Sequence, residues 1–260
     1  MSNTIDACRS RLSGDSSLVA GRDLRFINVP PAACIDAVRP DLRSAPDLGR
    51  DHDARARLRA RWGASPEECV VALAADPPER GDSRLASYAS AIACVTGRRY
   101  RLLLHPQAHA AVRWSRWARS TGLMGAVSAE PLTAEPWRIA AGVDVALSAA
   151  EAREPDGSLD MASRRAAHGV LPLLEYMARG VPVIAERTPA ASEVIEDGRS
   201  GLLVPPDDRV AVAKALLAVR DDEALRSTLI DGGRRRVGER FALPAFIAAL
   251  RRCVEESRPG

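Results

Sequence analysis

Residues 168–175, His-Gly-Val-Leu-Pro-Leu-Leu-Glu, bring together groups suited to holding an anion and a pair of hydroxyls. Pro172 fits the first turn of a helix, where its missing N–H has no carbonyl to bond. The first-turn amides, at Leu171, Leu173, Leu174 and their neighbours, can then donate outward, and the helix dipole adds to their pull on a phosphate. Glu175, one turn in, can accept from two ligand hydroxyls. Its bland reading is an acidic residue favouring the helix dipole, worth under ~1 kcal/mol. Gly169 would let the backbone approach a phosphate. His168 is either a ligand contact or a solvent-facing loop histidine. In the loop Asp76-Pro-Pro-Glu-Arg-Gly81, Arg80 can make bidentate phosphate contacts or simply face solvent, and Gly81 keeps the turn. The polar stretch 149–167 is long enough for a lid or binding loop, and offers Glu151, Ser163, Arg164 and Arg165.

The surrounding pattern predicts the elements that must hold these loops. Leu173, Leu174 and Met177 recur at helical spacing, and Gly180 is a natural stop. Residues 181–185 form a short apolar run fit for a buried strand; a helix over 190–196 and a strand over 201–204 follow. Upstream, strands are predicted over 69–75, 100–104, 123–128 and 143–147, with helices over 82–95, 108–120 and 136–141. Downstream, helices are predicted over 207–219, 222–230 and 243–255. Gly232-Gly233 and Arg234-Arg235-Arg236 read as a helix end and a solvated basic turn. Residues 54–62, with arginines on several faces, read as a solvated helix. Residues 24–29 can form a strand, and 40–53 a surface linker. This βα alternation implies an α/β fold, doubly wound around a mostly parallel sheet of about six strands, with ligands at the carboxyl ends of the strands.

Composition narrows the classes. The 260 residues are 46% hydrophobic, enough for a packed core, and net charge is only +3 because arginines alternate with Asp and Glu. A nucleic-acid binder would segregate that charge, so no nucleic-acid partner is expected. Five scattered cysteines (Cys8, Cys34, Cys69, Cys94, Cys253) include no CxxC pair, so no metal site or disulfide framework is indicated. Cys69 and Cys94 sit in apolar runs and read as core residues. A reducing cytoplasm fits, with no signal peptide or transmembrane segment expected; peripheral association with a membrane stays compatible. No GxGxxG, Walker, GxSxG or HExxH pattern is present.

The stretch PLLEYMARGVPVIAE…SEVIEDGRSGLLVPPDD closely resembles the donor-binding half of retaining GT-B glycosyltransferases, in particular family 4. The resemblance implies a single Rossmann-like GT-B half over residues 23–260, preceded by a poorly ordered tail or acceptor-domain remnant over 1–22. It implies that Glu175 holds the ribose hydroxyls of a nucleotide-diphosphate sugar, and that Arg80 stands where the family has a lysine on the diphosphate. Two departures matter. Ala75 occupies the place of the family's other phosphate arginine. Ala167-His-Gly-Val-Leu-Pro172 replaces Glu-Gly-Phe-Gly-Leu-Pro, so the first glutamate is missing; Glu151, Ser163, Arg164, Arg165 or His168 are its candidate substitutes. The function implied is glycosyl transfer with retention from a nucleotide sugar, with no cofactor and no settled protein nucleophile. An acceptor-domain protein or second subunit would complete the site. The alternative is a non-catalytic domain that binds a nucleotide or another protein.

Overall fold

The computed structural model describes residues 52–74, 83–105, 127–130, 139–149 and 171–242, together with residues 116, 120, 122 and 247. The strand expected over 24–29, the division at residue 22 and nearly all of the helices expected over 108–120 and 243–255 lie outside these residues, as does most of the linker over 40–53.

Six parallel strands form one sheet: β1 (Cys69–Leu73), β2 (Tyr100–Leu104), β3 (Val127–Ala129), β4 (Val145–Ser148), β5 (Val183–Glu186) and β6 (Leu202–Val204). Their order is β3-β2-β1-β4-β5-β6. The chain thus winds outward from β1 in one direction, then returns to place β4 on its other side. The switch point lies between β1 and β4, where Val71 is paired with Val145 and Leu73 with Leu147. In such sheets the crevice above the carboxyl ends of the switch strands is where ligands sit.

The strands read as unbroken apolar runs because both faces are covered. Val70, Val71, Ala72, Leu103, Leu104, Leu147, Val183 and Ile184 are fully buried. Each of these Val, Leu and Ile side chains contributes about 1.5–3 kcal/mol through burial. Helix α1 (His52–Trp62) precedes β1, and α2 (Ser83–Cys94) joins β1 to β2. Helix α3 (Leu171–Ala178) joins β4 to β5, and the short α4 (Pro189–Val194) joins β5 to β6. Helices α5 (Arg209–Asp221) and α6 (Glu223–Arg236) follow, and α6 runs into a π turn, Val237–Phe241. Helix α2 packs along α5, while α3 packs on β4, β5, α6 and the π turn.

Two expectations are corrected. Helix α1 is not simply solvated: Arg59 and Trp62 are buried. Arg55 and Arg59, four residues apart on one face, both reach the Asp144 carboxylate, Arg59 at 2.9 Å. Asp144 also accepts from the Val70 amide at 2.7 Å. Trp62 Nε1 and Arg61 donate to the two oxygens of the buried Glu130, each at 2.8 Å. Arg55 and Arg59 pin the helix to the amino ends of β1 and β4, and Arg61 with Trp62 to the end of β3.

The second correction concerns Gly232-Gly233, which lies inside α6 rather than at its end. A Cβ on Gly232 would fall 1.9 Å from the Arg199 carbonyl oxygen. The glycines are there for close approach, not termination. Arg236, expected in a solvated turn, is buried, and its guanidinium binds the Glu193 and Val194 carbonyls and the Glu196 carboxylate at the end of α4. The charge is satisfied by carbonyls that α4 leaves open at its last turn.

Candidate functional site

Strands β1 and β4 end side by side, tied by a bond from the Ala74 amide to the Leu147 carbonyl at 2.7 Å. Ser148 and Ala149, at the end of β4, are buried. The chain leaves these two ends into residues 75–82 and 150–170, which contain Arg80, Gly81, Glu151, Ser163, Arg164, Arg165, His168 and Gly169. All eight lie outside the described residues. Topology nonetheless joins their two segments to neighbouring strand ends at the switch point.

The re-entry of the second segment is α3. The helix starts at Leu171, with Pro172 in its first turn. Leu171 and Leu173 carry first-turn N–H groups with no carbonyl a turn earlier; Pro172 carries none. Leu173 and Leu174 are buried with Tyr176 and Met177, fixing the helix onto β4 and β5, while Leu171, Pro172 and Glu175 stay only half-buried. The spacing read from the sequence thus produces an apolar underside, with Glu175 half-buried one turn from the helix start and its Oε2 atom buried. Burial, and next the Glu175 carboxylate beside it, push the Tyr176 hydroxyl well above the ordinary tyrosine range.

The far end of α3 is closed by cations. Gly180 turns the chain in the left-handed region at φ 73°, a conformation that Gly adopts without a Cβ penalty. Arg179 Nη1 donates to the Glu175 carbonyl at 3.0 Å, and Arg234 Nη2 to the Arg179 carbonyl at 3.3 Å. Positive charge at the carboxyl end complements the dipole whose positive end faces the crevice.

Two further residues at the carboxyl edge were not singled out from sequence. Glu186, the last residue of β5, is buried, and its Oε1 accepts from the Asp207 amide at 2.7 Å. Asp207 itself takes φ 59°, which is uncommon outside glycine. The available signal was a carboxylate closing an apolar strand. Among the described residues no group of three or more His, Cys, Asp or Glu side chains is placed to hold a metal ion.

Comparison with known proteins agrees with this geometry. Residues 161–222, which contain all of α3 through α5, match the family described as "Glycosyl transferases group 1". A phosphatidyl-myo-inositol mannosyltransferase of Mycobacterium leprae is 40% identical over 65 residues, covering 25% of this chain and 17% of that protein. The chain therefore aligns with about a sixth of that relative. Among solved structures, the carboxyl-terminal domain of a group 1 glycosyl transferase (LpcC) from Francisella tularensis superposes with TM-score 0.55 at 17% identity, over 74% of this chain and 94% of that one. The fold is that of the carboxyl-terminal half of the GT-B architecture. Anabaena HepE, solved with UDP and glucose, shares this GT-B half with TM-score 0.58 and 19% identity, over 79% of this chain and 52% of that one.

Proposed function

We propose that this chain supplies the nucleotide-sugar-binding half of a retaining glycosyltransferase. The observation that carries the reading is the placement of α3. It follows β4 in the chain, on the far side of the topological switch, and carries the half-buried Glu175 one turn in. First-turn amides take a phosphate of the donor, and Glu175 accepts from the ribose hydroxyls. Arg80 and the backbone at Gly81 add charge and close approach on the diphosphate; Gly169 and His168 border it. Arg164 or Arg165 would supply the missing second cation, and Glu151 or Ser163 the group that replaces the absent first glutamate. The UDP complex of HepE supports a nucleoside diphosphate as the ligand class.

In this reading the anomeric carbon–oxygen bond to the diphosphate breaks, and the diphosphate leaves with the bonding pair. The acceptor oxygen bonds to the same face of the anomeric carbon, and its proton passes to the departing phosphate. The protein's task is orientation and stabilisation of the developing negative charge, which preformed amides and arginines perform without reorganising. No metal or organic cofactor is needed. The acceptor site belongs to a partner domain or subunit, and the setting is cytoplasmic, with surface association with a membrane compatible. No helix among the described residues is long and apolar enough to cross a membrane.

The test is thermal unfolding with millimolar uridine, guanosine and adenosine diphosphates, with Glu175→Ala as control. At a hundred times its dissociation constant a ligand stabilises by about 2.7 kcal/mol, roughly 5–10 °C for a chain of this size. One nucleotide should raise the midpoint, and Glu175→Ala should abolish the rise. No shift with any of the three would sink the reading.

A further inference from the structure

Strand β6 closes the sheet and, among the described residues, has a strand on one side only. Unpaired N–H and C=O groups along such a flank form a template on which another strand can add. The residues of β6 suit that addition, because Gly201-Leu-Leu-Val204 is uncharged, apolar and ends on a β-branched residue. The ladder decides which groups turn outward. Val204 gives its carbonyl to the Arg187 N–H at 2.7 Å, in a register that pairs Leu202 with Ile184 and Val204 with Glu186. Backbone groups alternate sides along a strand, so Leu203 turns its N–H and C=O away from β5.

Both of those groups are taken, and by one ion pair. Asp197 Oδ1 accepts the Leu203 N–H at 2.9 Å, and Arg187 Nη2 donates to the Leu203 carbonyl at 3.3 Å. The same guanidinium nitrogen binds Asp197 Oδ2. The neighbouring outward positions are closed as well. The Gly201 carbonyl accepts the Gly198 N–H at 2.9 Å, and Pro205 has no N–H to give. Arg187 and Asp197 are 52% and 44% exposed, and a pair so placed adds little to stability. What distinguishes it is position: an acceptor meets the outward amide and a donor meets the outward carbonyl.

We infer that the Arg187–Asp197 pair is a guard that stops β6 from pairing with the β6 of a second copy of this chain. A second copy is the occupant because every copy carries the same flank. Two such strands, antiparallel about a two-fold axis, would exchange both bonds between their Leu203 residues. The inference does not rest on the donor-site reading.

Replacing both residues, Arg187→Ala with Asp197→Ala, tests it. Self-association is read by sedimentation velocity over a wide range of protein concentration, and amide exchange at Leu203 is followed in parallel. Two backbone groups freed per copy should tighten dimerisation by about tenfold or more. Leu203 of the double variant should exchange fast when dilute and slow as dimers form, while in wild type its rate is independent of concentration. Arg187→Ala alone frees only the carbonyl and should give a smaller rise, which keeps the test open if the double variant unfolds. The swapped pair, Arg187→Asp with Asp197→Arg, keeps the ion pair but sets a donor against the amide and an acceptor against the carbonyl. It should associate as the alanine variant does. Variants no more associated than wild type, a swapped pair that behaves as wild type, or dimers in which Leu203 exchanges as fast as in the monomer would each overturn the inference.

Discussion

The two edges of the sheet are held by different chemistry. At the amino-terminal edge, guanidinium groups meet carboxylates: Arg55 and Arg59 on Asp144, Arg101 on Glu68, the last at 2.9 Å with both side chains nearly buried. At the carboxyl-terminal edge along β5 and β6, carboxylates meet backbone amides, Glu186 taking the Asp207 N–H and Asp208 those of Val210 and Ala211, while at the outer strand Glu130 takes Arg61 and the Trp62 indole. Arg187, just past β5, pairs with Asp197, which leads into β6, but both are well exposed, and such pairs contribute little. An arginine fork on a carboxylate satisfies both charges and leaves nothing for a ligand to answer. Amide-held carboxylates and helix starts keep a local field to which a ligand can respond. The paired charges make the amino edge the stabilising one; on the proposed function, the carboxyl edge is the one that binds.

The largest test of that contrast is Asp144→Ala. It takes the carboxylate from the buried Arg59 guanidinium, which keeps only the Ser65 and Glu68 carbonyls, and removes the acceptor of the Val70 amide. Loss of one partner of a buried pair costs about 3–5 kcal/mol; with Asp144 a quarter exposed, about 3 kcal/mol is expected. The melting midpoint should fall by roughly 6–12 °C, while nucleotide affinity of the folded protein stays within about twofold of wild type. A nucleotide affinity lost in step with stability would erase the distinction between the edges.

The sheet was legible from sequence because its strands are continuous apolar runs cut by Gly, Pro and charged residues. Strand β2 occupies the predicted residues, and β1 starts at the predicted Cys69. Helix α3 and its Gly180 stop were legible for the same reason: four buried positions at helical spacing admit one face. The amino-edge network was not, because Arg59 and Asp144 are 85 residues apart and local periodicity carries no information about which charges meet. Gly232-Gly233 misled for a related reason. A glycine required by a neighbour's carbonyl looks, in sequence, like a glycine required by its own backbone. Among the site residues, only those on α3 could be compared with the structure; the loop over 76–81 and nearly all of the polar loop over 149–167 lie outside the described residues.

A second, smaller test lies at the start of β1. Burial, reinforced by the Asp144 charge and opposed by Arg220 and Arg59, pushes the Cys69 thiol from an ordinary 9.0 to about 12. An acid whose folded value is raised stabilises the fold fully below the unfolded value and loses that contribution as pH climbs to the folded one. The window is therefore about pH 9 to 12, with a slope of at most about 1.4 kcal/mol per pH unit. Chemical denaturation at pH 8.5 and pH 10 should show wild type losing stability faster than Cys69→Ala. Parallel losses in the two proteins would mean that other groups, the buried Tyr100 among them, carry the alkaline response.

The smallest effect belongs to the carboxyl edge. Asp207 holds φ 59°, where an L side chain crowds its own backbone, and its amide is fixed there by Glu186. Asp207→Gly removes the crowding but loosens the unfolded chain, two effects of opposite sign and each about 1 kcal/mol. The net change should be within about 0.5 kcal/mol of zero. Asp207→Val keeps a Cβ, branches it and removes the carboxylate, so it should destabilise by more than about 1 kcal/mol. Urea midpoints of the two variants would therefore separate. If valine were tolerated as well as glycine, the Glu186–Asp207 contact would not be enforcing that backbone conformation, and the carboxyl edge would be looser than its hydrogen bonds imply.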